Sequence, residues 1–439
     1  MSVATPTVQR LRPAEAFGRA LPALATACLV VLVACGAEIA LSAATPHSPL
    51  LVRTPGGDPS WLAGPLSGLG GMHLALSGAL LLMAAMGAAY LGLLPLVERI
   101  RARWVIAAIA VLHVLFMLAP PLMSNDVFSY IDYARLSVLH GLDPYSHSPS
   151  SVPHDAAFAF TRWRHARSVY GPLFTLGSYP LGGLSVSAAL WSLKAVGAAA
   201  SLGCAALVWR IAGQLGRSPV RAAAMFGLNP MLLVWTVGGA HNDLLMLFLA
   251  LLGVTLVLGR REALGGAAVV AAIAVKASAG IALPFVLLGA QRRWRALAGT
   301  AAALAIVAAL AVFAFPGQAL SVVAALRHQQ KFVAFDSVPT EFARLAGLPG
   351  VTSAVRLLCT VLAAAAIAWL IWRVWRGAEW VRACGWALVA VVVTTSFLLG
   401  WYAVWPLPFA AVTRDRRLLA VTLLLQVYFV VNHIPGFTL

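Results

Sequence analysis

The 439-residue chain is short of charge: Asp, Glu, Lys and Arg make up 10% of it, against about 25% in ordinary soluble domains. Hydrophobic residues make up 61%. A soluble fold of this length cannot hide that much apolar surface, whereas in a bilayer lipid replaces water as the solvent. Acidic residues are scarcer still, 14 against 31 basic ones, leaving a net charge of +17. Such an excess can mark nucleic-acid binding. Here the basic residues form no single patch; they recur as short Arg clusters between apolar runs, the pattern of cytoplasmic loops. Nucleic acid is therefore not an expected partner. The cysteines are Cys28, Cys35, Cys204, Cys359 and Cys384, all within apolar runs and none in a CxxC pair. They read as small buried hydrophobes and argue against a disulfide framework. His140, His147, His154 and His165 lack metal-site spacing and no DxD motif is present, so no motif calls for a metal or other cofactor.

What the chain does have is long apolar runs. Arg10, Arg12 and Arg19 precede a run from Leu21 to Ala44, longer than the roughly 7–15 residues of a signal-peptide core, so it reads as a first transmembrane helix. Further runs lie near 71–96, 103–120, 186–209, 220–238, 243–259, 296–315, 352–373 and 381–399, with a shorter one at 401–413 and a last at 417–434. The expected fold is an all-α polytopic bundle of roughly 11–13 spans forming one domain over 1–439. The Arg clusters near residues 10–19, 99–103, 210–221, 260–261, 292–295, 373–382 and 414–417 are assigned to the cytoplasm, which puts the N-terminus there too. The outer face then holds 44–70, 121–170, 239–243, 316–351 and the turn near Trp401. The 121–170 loop is expected to carry short interfacial helices at 126–140 and 155–168. Residues 262–291 have basic residues on both sides and too few residues for two full spans at ~1.5 Å rise each. They predict a broken pair of half-helices with Lys276 near the bend. The Gly- and Pro-rich stretch 170–185 is a second candidate for re-entry.

The polar residues gather on the outer side. Asp126, in SNDVFSYIDYAR, shares a helix face with Tyr130 and Tyr133. On pattern alone Asp126 equally serves the helix N-terminus, where negative charge is favoured, with Ser124 or Asn125 as cap. Asp58 in the first external loop reads as a solvated turn residue. Tyr145 (GLDPY) and Tyr170 (YGPLF) suit sugar stacking or an interfacial aromatic belt. His241, Asn242 and Asp243 in GGAHND either cap a helix or form a ligand site, with the Gly pair permitting close approach. Lys276 lies within an apolar segment, at ~2.5–3.5 kcal/mol on insertion scales. It therefore needs an anionic partner or a wet cavity. Lys194 and Glu38 also lie in or near spans. Arg327 and His328, with Lys331, are outer cations: a solvated run or an anion site.

Taken together, SNDVFSY, GLDPY, YGPLF, GGAHND, the intramembrane VKAS and WYAVWPLP resemble the polyprenol-phosphate-mannose-dependent α-mannosyltransferases of actinobacteria, GT-C enzymes related to glycosyltransferase family 87, from about residue 120 onward. The resemblance implies a bacterial plasma-membrane enzyme with its site on the outer face and a polyprenyl-phosphate mannose donor. Its catalytic carboxylate, an Asp just after a span, matches Asp126; Asn125 departs from the basic residue expected beside it. Phosphate is a competent leaving group, so one general base suffices where glycosidases need two carboxylates. Asp126 is the expected base in an inverting transfer to a lipid-linked mannan or lipoglycan acceptor. Lys276, His241, Arg327 and His328 are expected to hold the phosphate. Tyr130, Asp132, Tyr133, Tyr145, Tyr170, Asn242, Asp243, Trp401 and Tyr402 are expected to bind sugar or acceptor. Arabinosyl or glucosyl transfer, and a lipid or sugar transporter or flippase, stay open, since broken helices and a buried Lys also suit transporters; the absence of an internal repeat and the one-sided polar cluster favour the enzyme.

Overall fold

The structure, a computed structural model, describes residues 13–51, 54, 59–318 and 321–432. Arg10, Arg12 and Asp58 lie outside the described residues. Those residues form a membrane protein built of helices, with no strand among them beyond an isolated bridge between Leu51 and Leu122.

The helices follow the apolar runs. Three come first: α1 (Pro13–Ala43), α2 (Leu76–Leu93) and α3 (Ala102–Leu118). A helical hairpin follows, α4 (Asp126–His140) and α5 (Pro172–Gly182), and then the long α6 (Val186–Gln214). Next are α7 (Pro219–Gly227), α8 (Asp243–Leu258), α9 (Glu262–Val275), α10 (Leu283–Gly289) and α11 (Arg293–Ala314). Two short helices, α12 (Ser321–Gln329) and α13 (Val338–Leu345), lead to α14 (Ser353–Trp375), α15 (Trp380–Thr394), α16 (Leu407–Val412) and α17 (Arg416–Asn432). Among the described residues, five helices are long and apolar enough to cross a membrane: Ala20–Ala43 within α1, and α2, α6, α11 and α14. Five shorter apolar segments accompany them.

Several runs are interrupted, and composition gives the cause. The run near 220–238 is not one span: α7 stops at Gly227 ahead of Pro230, and the chain resumes as a π-helical turn, Leu232–Val237. The expected break at 262–291 is present. Lys276 is extended (φ −150, ψ 124), a 3-10 turn covers Ala277–Ala282, and Pro284 starts α10. A third break follows α15, where a 3-10 turn at Gly400–Val404 precedes Pro406 and Pro408. Backbone that leaves a helix at membrane depth must find partners inside the protein. Here Asn229 accepts from the Leu232 amide at 3.0 Å and donates to Gln426 Oε1 at 2.8 Å, while Gln426 Nε2 donates to the Ala403 carbonyl at 3.3 Å. Two side chains thus tie two breaks together.

The expected helix at 126–140 is α4, although it is buried over most of its length rather than interfacial. The helix expected at 155–168 is absent. Asp155 Oδ1 accepts from the Ala157 amide and Thr161 Oγ1 from the Trp163 amide, and such side-chain bonds draw backbone donors away from a helix. The segment instead lies as a strap over α4. Ser129 meets Thr161 at 2.9 Å, Tyr133 Oη donates to the Ala166 carbonyl at 3.0 Å, and Arg135 and His140 hold the two oxygens of Asp155 at 2.7 Å each.

Arg–Trp pairs mark several helix ends. Arg103 lies over Trp104, Arg295 over Trp294 and Arg373 over Trp369. Arg293 at the start of α11 lies 5.2 Å from the ring of Trp375 at the end of α14, so those ends share one side. Stretches assigned to the opposite side also meet: Leu122 N donates to the Gly238 carbonyl, Met123 N to Leu50, and Ala334 N to Ser396. Basic and aromatic residues at interfacial helix ends are the expected anchors.

Candidate active site

The site lies where the three breaks meet the first turn of α4. Asp126 opens that helix and is buried, with Ser124 Oγ accepting from its amide at 3.2 Å. Asn125 makes no capping bond; its amide donates to the Phe160 carbonyl at 3.3 Å. The carboxylate does more than serve the helix dipole. Its Oδ1 accepts from Trp163 Nε1 at 2.8 Å, and its Oδ2 stands 3.9 Å from His241 Nδ1, beyond hydrogen-bond range. Burial lifts its pKa above the ordinary Asp range, only partly opposed by the Trp163 N–H and the positive charge of Lys276. A carboxylate so raised is a stronger base than an exposed one.

The GGAHND segment enters between the π-helical turn and α8. A Cβ at Gly238 would fall 2.3 Å from the Val234 carbonyl and 2.9 Å from Leu122, so the close approach expected of the Gly pair is required. None of His241, Asn242 and Asp243 makes a side-chain cap on α8. His241 stacks on Trp401 with centroids 3.6 Å apart, and both its ring nitrogens are buried without a hydrogen-bond partner. Asn242 Nδ2 is likewise buried and unpartnered, and Asn242 Oδ1 receives a long 3.5 Å bond from Tyr130 Oη. Each such orphan costs about 1–3 kcal/mol, a burden native proteins tolerate mainly where a ligand or water completes the set.

Asp243 is the anionic partner Lys276 needed. Lys276 Nζ donates to both carboxylate oxygens at 2.8 Å, and Trp405 Nε1 donates to Oδ1 at 2.7 Å. The ammonium also lies 4.7 Å from the Tyr402 ring centroid and 5.5 Å from that of Trp405, and these two rings stack at 4.2 Å. Cation–π contact of this kind is attractive, and more so where the cation is desolvated. The Lys276 side chain keeps 16% of its surface exposed while Asp243 keeps 1%, so an incoming group meets the cation rather than the anion. Gly171 seats α5 beside this break: its amide donates to the Val275 carbonyl at 3.0 Å, and a Cβ there would collide with Ala274 O at 2.2 Å.

Asp126, Tyr130, His241, Asn242, Asp243, Lys276, Trp401 and Tyr402 are thus brought together, with Tyr170 against Tyr130 edge-to-face at 5.0 Å. Others are not. Asp132 faces the strap beside Arg135, Asp155 and Arg164, and burial pushes its pKa up to about 8. Tyr133 is committed to the strap through Ala166, and Tyr145 to the Tyr170 carbonyl at 2.9 Å and to Thr175. Arg327 and His328 line, with Lys331, Val323 and Ala324, an open depression of about 580 Å³. His328 packs on Phe332, which stacks on Trp163 at 6.2 Å, with Phe397 against both. One aromatic layer therefore stands between these cations and the group that holds Asp126. Glu38 is occupied elsewhere, accepting from Ser42 and from the Met72 amide.

Trp163 and Trp405 are the site residues the sequence reading missed. Trp405 sits in WYAVWPLP, a motif that drew notice only for its first two aromatics. Trp163 sits in RWRH, where the charges draw the eye and nothing local shows an indole pointing at a carboxylate 37 residues earlier.

The chain matches the family model described as alpha-(1->6)-mannopyranosyltransferase, N-terminal domain, over residues 24–292, and the MptB C-terminal domain over residues 338–436. It is 30% identical to alpha-(1->6)-mannopyranosyltransferase A of Mycobacterium tuberculosis over 69% of this chain and 64% of that protein. The protein of the same name in Corynebacterium glutamicum is 33% identical over 38% of this chain and 35% of its own length. Alpha-(1->6)-mannopyranosyltransferase B of that organism is 28% identical over 32% of this chain and 24% of its own. The chain thus spans less than two thirds of the curated relatives it matches. No solved structure matches it.

Proposed function

The chain belongs to the alpha-(1->6)-mannopyranosyltransferase family, and we propose that it transfers a mannosyl residue from polyprenyl-phosphate mannose to a lipid-linked mannan or lipoglycan acceptor on the extracytoplasmic face. The observation that carries this reading is the pairing of one raised carboxylate, Asp126, with one mostly buried but still accessible cation, Lys276, at a junction of broken helices. Asp126 Oδ2 takes the proton from an acceptor hydroxyl as its oxygen attacks the anomeric carbon. The C–O bond to phosphate breaks, and its electron pair leaves with polyprenyl phosphate. Attack from the far side turns a β-linked donor into an α-linked product.

Charge builds on the departing phosphate, so cations count for more in the transition state than in the ground state. Lys276 is the first candidate to meet it, with Asp243 holding and aiming its Nζ. Arg327, His328 and Lys331 supply a second positive region across the Phe332–Trp163 layer. The orphaned nitrogens of His241 and Asn242 are free to bond sugar hydroxyls or phosphate oxygens. The reading uses no metal or other cofactor. Orientation follows from the Arg clusters, which put the N-terminus in the cytoplasm and the site outside.

The test is transfer by the purified protein in nanodiscs, with polyprenyl-phosphate mannose, arabinose and glucose offered separately and the product linkage analysed. An α-1,6-linked mannosyl product is expected from the first donor alone. Transfer from the arabinose or glucose donor at an equal or higher rate overturns the choice of sugar, and no transfer from any of the three overturns the reaction.

A further inference from the structure

Lys194 is a buried ionisable side chain that the proposed chemistry does not use. It lies within α6 with none of its surface exposed. No carboxylate among the described residues pairs with it, and the one hydrogen bond it makes among them runs from Nζ to the Gly238 carbonyl at 2.8 Å. Trp191 offers its ring at 6.0 Å. An ionisable side chain without a counter-charge is costly in such surroundings, and function is its default reading inside a span.

The carbonyl it grips is where two site-bearing segments join. Gly238 O also accepts from the Leu122 amide at 3.1 Å. Leu122 lies four residues before Asp126, and Gly238 three before His241. On each side of this junction a non-glycine residue sits in the left-handed region, Met123 at φ 60 and Ala240 at φ 56. Such conformations persist only where the surroundings over-determine them. Low local dielectric strengthens a hydrogen bond of this kind relative to one made in water.

We propose that Lys194 is a positioning residue: its Nζ clamps the Gly238 carbonyl at the crossing of the Leu122–Asp126 and Gly238–Asp243 segments and so sets the separation of Asp126 from His241 and from the Lys276–Asp243 pair. This rests on the transfer reaction proposed above only for its effect on rate; the clamp itself is a statement about geometry. A residue kept for positioning and not for stability has a signature. Replacing it with an apolar side chain of similar length removes a costly buried amine while the Gly238 carbonyl keeps its bond from the Leu122 amide, so little stability is expected to be lost, yet it loosens the site.

The experiment is Lys194→Met in nanodiscs, with three readouts. The melting temperature is expected to equal or exceed that of the unmodified protein. Amide hydrogen exchange over 121–126 and 238–243 is expected to rise at least fivefold while exchange elsewhere is unchanged. With polyprenyl-phosphate mannose as donor, kcat is expected to fall 10- to 100-fold with KM changed less than twofold. Lys194→Gln, which keeps a donor on a shorter stem, is expected to recover part of the exchange protection and part of kcat, and it stands in for the Met variant if that one fails to accumulate. Lower melting with faster exchange throughout makes Lys194 a merely structural residue and overturns the proposal. So does unchanged exchange at both segments. If the unmodified protein transfers no sugar, the proposed reaction fails, and the exchange measurement still decides the clamp.

Discussion

Two kinds of membrane helix stand side by side in this protein, the unbroken and the interrupted. Helices α11 and α14 are continuous for 22 and 23 residues, and only 11% of each spanning window is buried inside the protein. Their surfaces show Ile306, Phe313, Leu357 and Leu362 outward. The segments broken at the π-helical turn, at Lys276 and at Gly400–Val404 are shorter and mostly buried, and they carry His241, Asn242, Asp243, Lys276, Trp401 and Trp405. A continuous helix satisfies its own backbone and so asks nothing of its neighbours. A broken one exposes polar backbone that must be met inside the protein, as Asn229 and Gln426 meet it here. The candidate site residues cluster at the same breaks.

The sharpest way to test that contrast is to remove the carboxylate at the centre of the breaks. Asp126→Asn keeps the size and the bond from Trp163 while removing the base. General-base catalysis contributes about 10²–10⁴-fold, so kcat is expected to fall at least 100-fold, with donor binding retained and the melting temperature within a few degrees. Its raised pKa also fixes a sign: only the ionised form accepts a proton, so the rate rises with pH through that pKa and is lost on the acid side. Near-normal turnover in the variant breaks the assignment.

The next effect belongs to the Lys276–Asp243 pair. Removing one partner of a buried ion pair leaves an uncompensated charge and costs about 3–5 kcal/mol, whereas replacing both is far milder. Asp243→Leu alone strands a cation, Lys276→Met alone strands an anion, and the double variant strands neither. Melting of the three proteins is expected to show the double variant well above either single one, while all three lose donor binding. Additive losses of stability show that the pair is not coupled.

How far the site could be read from sequence follows the same division. The helix at 126–140 was legible because its polar residues repeat at helical spacing, and the break at 262–291 because Arg flanks it on both sides. Lys276 announced its need for an anion, but Asp243 lies 33 residues away, and nothing in spacing couples them. Trp163 was hidden for the same reason. The helix expected at 155–168 failed because Asp155 and Thr161 bond backbone amides of their own loop, a competition that hydrophobic pattern does not record. Asp132, expected to bind sugar or acceptor, shares a helix with Asp126 yet turns to the strap.

That strap gives a smaller, pH-dependent effect. Burial, reinforced by the charge of Asp155, pushes the Asp132 carboxyl up to about 8, against the pull of Thr161, Arg135 and Arg164. In the unfolded chain it ionises near ~4. Between those values the folded protein holds a proton that the unfolded chain has released, so this group's contribution is fully present below the unfolded value and is lost as pH rises toward 8. Asp155 runs the other way: bonds from Arg135 and His140 outweigh its burial and hold its pKa below the ordinary range, so its contribution disappears only in acid. From pH 5.5 to 8 Asp132 therefore sets the slope within the strap. Asp132→Asn is expected to melt at a temperature that varies less over that range and to gain on the unmodified protein at pH 8. An unaltered slope shows that another group governs it.

The smallest effect is expected on the unbroken helices, and it is the one that makes the contrast quantitative. Phe313 is 88% exposed and Ile306 68% exposed on α11, where lipid is the neighbour. In water an exposed-to-buried difference drives packing, but lipid tails are as apolar as the side chains they touch, so no comparable term favours one contact over the other. Truncation to Ala leaves no cavity, because acyl chains fill the space, and it leaves no polar group unpaired. The usual large-to-small penalty of about 3–5 kcal/mol for a core Phe therefore does not apply. Phe313→Ala with Ile306→Ala is expected to change the melting temperature by less than a few degrees and kcat by less than twofold in nanodiscs. A loss of donor binding in this double variant would have a definite meaning: the outer end of α11 then contacts the polyprenyl chain, and the division between the lipid-facing unbroken helices α11 and α14 and the site-bearing broken ones has to be redrawn along that face.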